Sequence, residues 1–140
     1  MDRQKSIRII AIIIFLTVIA MVFFLLMNKE TYSLNLPKTE EVTRIMISTD
    51  TVKKEVTSIE EIKDIIYVLE GNERTTKKES INDSPVNAET PIKIEFHFQQ
   101  NGGSILYIYT QRNQYYLEQP YNGVYRISGD EYNSIAKYVL

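Results

Sequence analysis

The chain has 140 residues, which is enough for one modest domain but not for two of ordinary size. Its formal net charge of −2 argues against nucleic acid as a partner, because nucleic-acid-binding domains carry a basic patch or stripe. It contains no cysteine, which excludes disulfides, thiol catalysis, thiolate metal sites and lipidation at a cysteine.

The first feature along the chain is an apolar run from Ile9 to Met27, in which Thr17 is the only polar residue. As a helix this run would be roughly 28 Å long, close to the roughly 30 Å thickness of a bilayer's hydrocarbon core. A helix that is apolar on every side has no core to enter in so short a chain. Residues 9–27 are therefore predicted to form a transmembrane helix, with the lipid bilayer as partner.

The residues that flank this run predict its orientation and its fate. Three basic residues precede it: Arg3, Lys5 and Arg8. After it, Lys29 is followed at once by Glu30, so the positive-inside rule places residues 1–8 in the cytoplasm and the C-terminal part outside. Residues 26–29 lack the small side chains of a cleavage site, which favours a permanent signal anchor over a cleaved signal peptide. The prediction is a single-pass protein of the plasma membrane.

Residues 28–41 are polar and are predicted to form a tether. Its two leucines alternate with polar residues, so its end is expected to dock on the domain. Residues 42–140 are predicted to form an extracytoplasmic domain. It begins with strands over 42–48 and 52–56, on either side of a turn at 49–51.

The best-specified helix of this domain follows. Ser58 and Glu61 have the spacing of a capping box, in which each side chain bonds to the other residue's N–H. Five apolar residues follow at the spacing of one helix face: Ile59, Ile62, Ile65, Ile66 and Leu69. Gly71 is well placed as the left-handed residue past the C-terminus. Burial of this face against a sheet would contribute on the order of 10 kcal/mol before entropy.

The next stretch is polar, with an exposed edge strand predicted over 73–78 and a loop over 80–91. Alternation then predicts a half-buried strand from Ile92 to Phe98, whose polar side includes His97. Three more strands are separated by short turns: 105–109, 115–118 and 124–127. Because the connections are short, these strands are expected to form an antiparallel meander.

A second capping box, Ser128 with Glu131, opens a last helix. Its apolar face contains four residues: Tyr132, Ile135, Ala136 and Val139. The predicted fold class is α+β. It consists of an N-terminal transmembrane helix and a small domain with a twisted antiparallel sheet of about 5–6 strands and two helices on one face.

No constellation of catalytic or metal-binding residues is recognisable. His97 is the only histidine, and an exposed strand position is the commoner explanation for it. No phosphate-binding loop, dinucleotide fingerprint, nucleophile elbow or zinc motif is present. Asn82-Asp83-Ser84 has too few acids for a calcium loop. No catalytic residue, metal ligand or cofactor is therefore predicted.

The most unusual segment is 111–125, QRNQYYLEQPYNGVY, in which tyrosines stand among amides. Tyrosine suits recognition surfaces because it gives a large contact area at a low entropic cost. Five residues are predicted to form a binding rim: Tyr116, Glu118, Tyr121, Asn122 and Tyr125. The alternative is structural, since alternate tyrosines of a strand point into the core and Asn122-Gly123 is a common tight-turn dipeptide.

Three segments carry a resemblance to a known family: NDSPVN at 82–87, IEFHF at 94–98 and YYLEQPYNGVYRI at 115–127. They resemble a family of uncharacterised exported proteins of low-GC Gram-positive bacteria, known as a domain of unknown function. The resemblance covers roughly Leu36 to the C-terminus. It implies an exported bacterial domain, in agreement with the predicted anchor. It implies no reaction and no catalytic residue.

Two functional hypotheses of different classes follow. The leading one is a non-enzymatic module on the outer face of the plasma membrane that binds a protein, a peptide or a wall polymer. The rival is an extracytoplasmic enzyme or enzyme accessory, with carboxylates such as Asp83, Glu95 and Glu118 brought together by the fold. A sensory domain that signals through the helix ranks last, because only eight residues precede the apolar run.

Overall fold

The computed structural model describes residues 3–140, which form two compact units, the first ending at Glu30. The first unit contains one helix, α1 (Arg3–Met27). Within the described residues, α1 is the one helix long and apolar enough to cross a membrane, and a signal sequence has the same properties. The Thr17 hydroxyl donates to the Ile14 carbonyl at 2.8 Å, so this polar group is satisfied within the helix.

The second unit, Thr31–Leu140, is an α+β domain, which confirms the predicted fold class. Its strands are β1 (Tyr32–Ser33), β2 (Val42–Ser48), β3 (Lys53–Val56), β4 (Thr75–Thr76), β5 (Glu89–Phe98), β6 (Gly103–Gln111), β7 (Gln114–Gln119) and β8 (Gly123–Ile127). Its helices are α2 (Ile59–Glu70), α3 (Gly129–Ala136) and a short 3-10 turn (Thr39–Glu41). Six strands form an antiparallel sheet in the order β3-β2-β5-β6-β7-β8, while β1 pairs with β4 in a separate two-stranded sheet.

One face of the six-stranded sheet, here called the helix face, carries the hydrophobic core. Apolar side chains of neighbouring strands lie in register on it, for example Ile45 opposite Phe96 and Ile108 opposite Leu117. The helices α2 and α3 contact each other, and they pack against β2 and β7 respectively. Seven helix residues join the same core: Ile62, Ile65, Ile66, Leu69, Tyr132, Ile135 and Ala136. Removal of this apolar surface from water is the main stabilising term of the fold.

The helix α2 ends as predicted but begins differently. Ser58 occupies the N-cap position, yet its side chain makes no capping hydrogen bond, so the predicted capping box is wrong. The first turn is exposed, which lets water satisfy its free N–H groups. Ile59 is also exposed, at 69%, so four of the five predicted apolar side chains are buried. At the other end, Gly71 follows the helix with the predicted positive φ of +55°, but its ψ of −137° lies outside the left-handed helical region.

The helix α3 begins with the predicted capping box. Ser128 Oγ accepts a hydrogen bond from the Glu131 N–H at 3.2 Å, and Glu131 Oε2 accepts one from the Ser128 N–H at 2.7 Å. The Arg74 guanidinium donates to the other oxygen of Glu131, and this contact fixes the carboxylate beside the helix start.

The polar stretch before β5 departs from its prediction at two points. The edge strand predicted over 73–78 is reduced to the two residues of β4, which pair with β1 and not with the main sheet. The loop predicted over 80–91 stops short of its predicted end, because β5 begins at Glu89 and includes Pro91. The register between β5 and β6 shifts between Glu89 and Ile92, and such an irregularity accommodates a residue that has no N–H.

The compact unit begins at Thr31, earlier than the predicted domain start at Val42. Leu34 and Leu36 are half-buried and pack against the core, as the alternation of the tether's end predicts. The predicted tether covers residues 28–41, and its later part is therefore fixed to the domain.

Candidate functional site

A tight turn joins β7 to β8, and the Asn122 N–H closes it by donating to the Gln119 carbonyl at 3.0 Å. Pro120 and Tyr121 are the central residues of this turn. Tyr121 has a φ of +58°, in the left-handed region that a bulky residue rarely adopts. Proline followed by a residue of positive φ is typical of a type II turn. Asn122 is therefore the last residue of the turn and Gly123 is the first residue of β8, so the Asn-Gly pair does not occupy the two central positions.

The side chains of Gln119 and Asn122, here called the amide clamp, hold the backbone of residues 33–35. Gln119 Oε1 accepts from the Asn35 N–H at 2.9 Å, and Gln119 Nε2 donates to the Asn35 carbonyl at 2.7 Å. Asn122 Nδ2 donates to the Ser33 carbonyl at 2.7 Å and to Gln119 Oε1 at 2.7 Å. Two side-chain amides thereby supply hydrogen bonds that a neighbouring strand would otherwise supply.

Gly123 leaves the space in which residues 32–35 approach the turn. A Cβ atom at this position would lie 3.0 Å from Tyr32 Cβ and 2.8 Å from Thr76 Cγ2, closer than ordinary contact. Tyr125 is buried in the core, and its hydroxyl accepts from Asn122 Nδ2 at 3.1 Å. Burial raises the pKa of Tyr125, which keeps its hydroxyl neutral. The Asn-Gly pair therefore serves close packing around the clamp.

The face of the sheet opposite the helices, here called the open face, contains a buried carboxylate. Glu118 is 4% exposed. Its Oε1 accepts a hydrogen bond from Ser80 Oγ at 2.6 Å, and its Oε2 accepts one from the Tyr109 hydroxyl at 3.0 Å. None of the ion pairs found within residues 3–140 includes Glu118. Its protein partners are therefore neutral hydroxyl groups, which supply the hydrogen bonds that a buried charge requires.

Tyr109 links this carboxylate to a second tyrosine. Its ring stacks on Tyr116 with 5.6 Å between centroids, and Lys78 Nζ lies 5.5 Å from the Tyr116 centroid. Burial and the nearby Glu118 carboxylate raise the pKa of Tyr109, so its hydroxyl remains protonated and donates. Tyr116 is half-buried, and so is Tyr107, which lies opposite Glu118 in the neighbouring strand.

Residues 78–80 lie along the outer edge of β8. The Val124 N–H donates to the Lys78 carbonyl and the Ser80 N–H donates to the Asn122 carbonyl, at 3.0 and 3.1 Å. Further along, the Tyr121 hydroxyl donates to Asp83 Oδ1 at 2.7 Å. The two backbone bonds, at Val124 and at Asn122, satisfy groups that a free edge strand would leave open to another chain.

A sequence model of the DUF5301 family, described as Domain of unknown function (DUF5300), matches residues 30–126. The chain belongs to the DUF5301 family. The matched range includes β1 through most of β8, so the amide clamp and the buried Glu118 are parts of the DUF5301 domain. No curated protein and no solved structure matches the chain.

The DUF5301 domain does not bring the five predicted rim residues onto one surface. Tyr116 and Glu118 lie on the open face. Tyr121 and Asn122 lie in the turn, and Tyr125 lies in the core. Tyr115 also points to the helix face, where its ring centroid lies 4.9 Å from that of Tyr132. The expectation that alternate tyrosines point into the core is therefore confirmed for Tyr115 and Tyr125.

Three residues that complete these contacts escape prediction from sequence: Ser80, Tyr109 and Gln119. Ser80 lies 38 positions before Glu118, so their contact depends on tertiary packing. Tyr109 reaches Glu118 across two neighbouring strands. The sequence does contain one signal for part of this arrangement: side chains alternate between the two faces along β7, which places residues 116 and 118 on the same face.

The carboxylates of the enzymatic hypothesis have different partners in the DUF5301 domain. Asp83 accepts from Tyr121, Glu95 accepts from Lys93 Nζ at 2.8 Å, and Glu118 accepts from two hydroxyl groups. Within the described part of the chain, no group of three or more histidine, aspartate or glutamate residues is placed to hold a metal ion. Each carboxylate therefore has a separate structural contact.

Proposed function

We propose that the protein is a membrane-anchored module that holds its DUF5301 domain outside the cytoplasm and binds a ligand there. In this proposal, α1 is an uncleaved single-pass anchor in the plasma membrane, with residues 1–8 in the cytoplasm. The length and apolarity of α1 support the anchor. The basic residues before it support the orientation.

The observation that carries the binding role is the ordered tyrosine group on the open face. Four residues form this group, here called the tyrosine site: Lys78, Tyr107, Tyr109 and Tyr116. Tyr116 is half-buried, and its ring is held by the Tyr109 stack and by Lys78. A side chain that is ordered before a ligand arrives loses less entropy on binding. Tyrosine also offers both an apolar ring and a hydroxyl to a partner.

A protein, a peptide or a wall polymer is the ligand class that suits this surface, because each presents apolar and polar groups together. The enzymatic alternative requires carboxylates that act on one substrate. Asp83, Glu95 and Glu118 have separate contacts, so no observation favours that alternative over binding.

Protease accessibility in intact cells tests the anchor and its orientation. A C-terminal epitope tag on the full chain is expected to be removed by protease added outside the cells, and the untreated protein is expected to remain in the membrane fraction. A tagged protein about 3 kDa short that washes off membranes would show that the apolar segment is cleaved.

Photo-crosslinking in intact cells tests the tyrosine site. A photoreactive phenylalanine analogue replaces Tyr116 in one variant and Tyr67 in the matched control, since Tyr67 is a 75% exposed tyrosine on α2. Specific adducts are expected from position 116 and not from position 67. In a second experiment, a photoreactive residue replaces Ile105 of β6 and is expected to capture the ligand. Adding Tyr116→Ala to that variant should abolish the capture. Identical adducts from both tyrosine positions, or capture that survives Tyr116→Ala in a folded protein, would contradict the proposal.

A further inference from the structure

We propose that residues 31–36, here called the strap, detach from the DUF5301 domain as a unit and so set how far the domain extends from the membrane. The strap is the first part of the compact unit after α1. Its effect on reach depends on the anchor in the proposed function. Its detachment is a property of the domain and does not depend on that anchor.

Polar contacts attach the strap at two places. At the first, Tyr32 and Ser33 pair with β4, and the Leu34 N–H donates to the Arg74 carbonyl at 3.0 Å. At the second, the amide clamp holds the backbone of Ser33 and Asn35, both of which are exposed.

The apolar attachment of the strap is small compared with the core. Leu34 and Leu36 are half-buried, whereas core strand residues such as Leu106 are fully buried. Segments with few buried apolar contacts and exposed hydrogen bonds open at a lower free energy than the whole domain. We therefore expect the strap to detach while the six-stranded sheet remains folded.

The chain is fixed to the sheet again just after the strap. The Gln99 N–H donates to the Glu41 carbonyl at 3.1 Å, and Gln99 Nε2 donates to the Glu40 carbonyl at 3.0 Å. With the strap attached, residues 28–31 join α1 to β1 and span at most roughly 14 Å. With the strap detached, residues 28–38 join α1 to the 3-10 turn and span at most roughly 38 Å. Detachment thus lengthens the connection by roughly 25 Å.

Hydrogen exchange of the full chain in nanodiscs tests detachment. The Leu34 N–H is the reporter, because its acceptor on Arg74 is not altered. In the native chain it is expected to exchange at least about tenfold faster than the Leu106 N–H of the central sheet. Gln119→Ala combined with Asn122→Ala is expected to accelerate Leu34 by a further tenfold or so and to leave Leu106 unchanged.

Gln100→Ala is the matched control, because Gln100 is an exposed amide outside the clamp, and it should change neither rate. Equal exchange of Leu34 and Leu106 in the native chain would overturn the proposal. A double variant that has no effect on Leu34, or that accelerates both amides equally, would overturn it as well.

A reversible crosslink provides the opposite test. Ser33 and Thr75 are direct partners in the β1–β4 pair, and the chain has no cysteine of its own. In Ser33→Cys with Thr75→Cys, oxidation is expected to slow Leu34 exchange to the rate of Leu106, and reduction to restore the faster rate. Fast Leu34 exchange in the oxidised form would mean that the amide opens without detachment of the strap.

Energy transfer in the same nanodiscs tests the effect on reach. The donor is a dye on an unnatural amino acid at the exposed Lys63, and the acceptors are labelled lipids. The clamp double variant is expected to transfer less energy than the native chain, and the oxidised crosslink to transfer more. Unchanged transfer despite faster Leu34 exchange would overturn the effect on reach. A chain that does not enter nanodiscs would instead contradict the anchor of the proposed function, and the same exchange measurements on the full chain in detergent would still decide detachment.

Discussion

The two faces of the six-stranded sheet bury their side chains in different ways. On the helix face, apolar side chains from the strands, α2 and α3 share one core. On the open face, Tyr109, Glu118 and Val124 are buried but lie outside that core. Glu118 and Tyr109 depend on hydrogen bonds to each other and to Ser80.

The two faces therefore stabilise the domain in different ways, and the tyrosine site proposed to bind a ligand lies on the hydrogen-bonded face. Apolar burial is non-directional, so the helix face depends chiefly on volume and area. The hydrogen bonds of the open face are directional, and each unmet partner is costly. Tyr109, whose hydroxyl donates to Glu118, in turn stacks on Tyr116, the residue on which the proposed binding role depends.

The largest expected effect comes from neighbouring residues on opposite faces of β6. Leu106→Ala should lower the free energy of unfolding by about 2–5 kcal/mol, because it leaves a cavity in the core. Ile105→Ala, at a position that is 38% exposed, should cost less than about 1 kcal/mol. Denaturant unfolding of the full chain in detergent measures both. Similar losses for the two variants would remove the distinction between the faces.

The second effect concerns the buried carboxylate of the open face. Glu118→Ala leaves the Ser80 and Tyr109 hydroxyls without their acceptor and should cost about 2–3 kcal/mol. Glu95→Ala is the comparison on the same face, and it should cost less because Glu95 and its partner Lys93 are partly exposed. The same unfolding measurement applies. A loss for Glu118→Ala no greater than that for Glu95→Ala would show that the network contributes little to stability.

The third effect depends on pH and lies beside the helix face. Burial raises the pKa of Glu131, but hydrogen bonds from the Ser128 N–H and the Arg74 guanidinium outweigh it, so the pKa is lowered from 4.5. Because the folded-state pKa is the lower one, its stabilisation is complete above the unfolded-state pKa and is lost as pH falls through the folded-state value.

Glu131→Gln should therefore cost about 1–2 kcal/mol at neutral pH and progressively less as the pH falls below 4.5. Unfolding curves of both chains at several pH values measure this difference. Glu60→Gln, at an exposed acid in the first turn of α2, is the comparison and should lose only the weaker interaction of a surface charge with the helix N-terminus. A Glu131→Gln penalty that persists unchanged to pH 3 would mean that shape, and not charge, is responsible.

The smallest effect is expected at the other end of the open face. Arg44 and Glu55 form an ion pair at 3.3 Å, with about half of each side chain exposed. Glu55→Gln should change the free energy of unfolding by less than about 0.5 kcal/mol, because exposed pairs are weakly stabilising and screened by salt. A salt titration of the difference checks this. A loss above about 1 kcal/mol would show that the open face depends on charge as well as on hydrogen bonds.

The sequence predicts the helix face well because local periodicity encodes it. The spacing of Ile62, Ile65 and Leu69 identifies one side of α2, and the alternation from Ile92 to Phe98 identifies one side of β5. Both patterns depend on neighbours within a few positions. They remain informative even where a cap fails, as at Ser58.

The candidate sites are harder to predict because their partners are distant in sequence. In the sequence, Gln119 is one of several amides among the tyrosines and has no distinguishing feature. Its contact with Asn35 forms only when the chain folds. From the sequence alone, Glu118 resembles a surface acid, because its hydrogen bond with Ser80 is apparent only in the folded domain. Tyr125 shares the composition of the tyrosine-rich segment but belongs to the core. Composition identifies an unusual segment, whereas tertiary contacts decide what each residue does.

The clamp residues are far in sequence from the strap residues that they hold, and this separation sets an order of events during synthesis. The hydrogen bonds from Gln119 to Asn35 and from Asn122 to Ser33 join positions 84 and 89 apart in the sequence. A chain is made from its N-terminus, so residues 33–35 exist long before the turn that holds them. The segment nearest α1 is thus among the first parts of the domain to be made, and the clamp that completes its attachment is among the last.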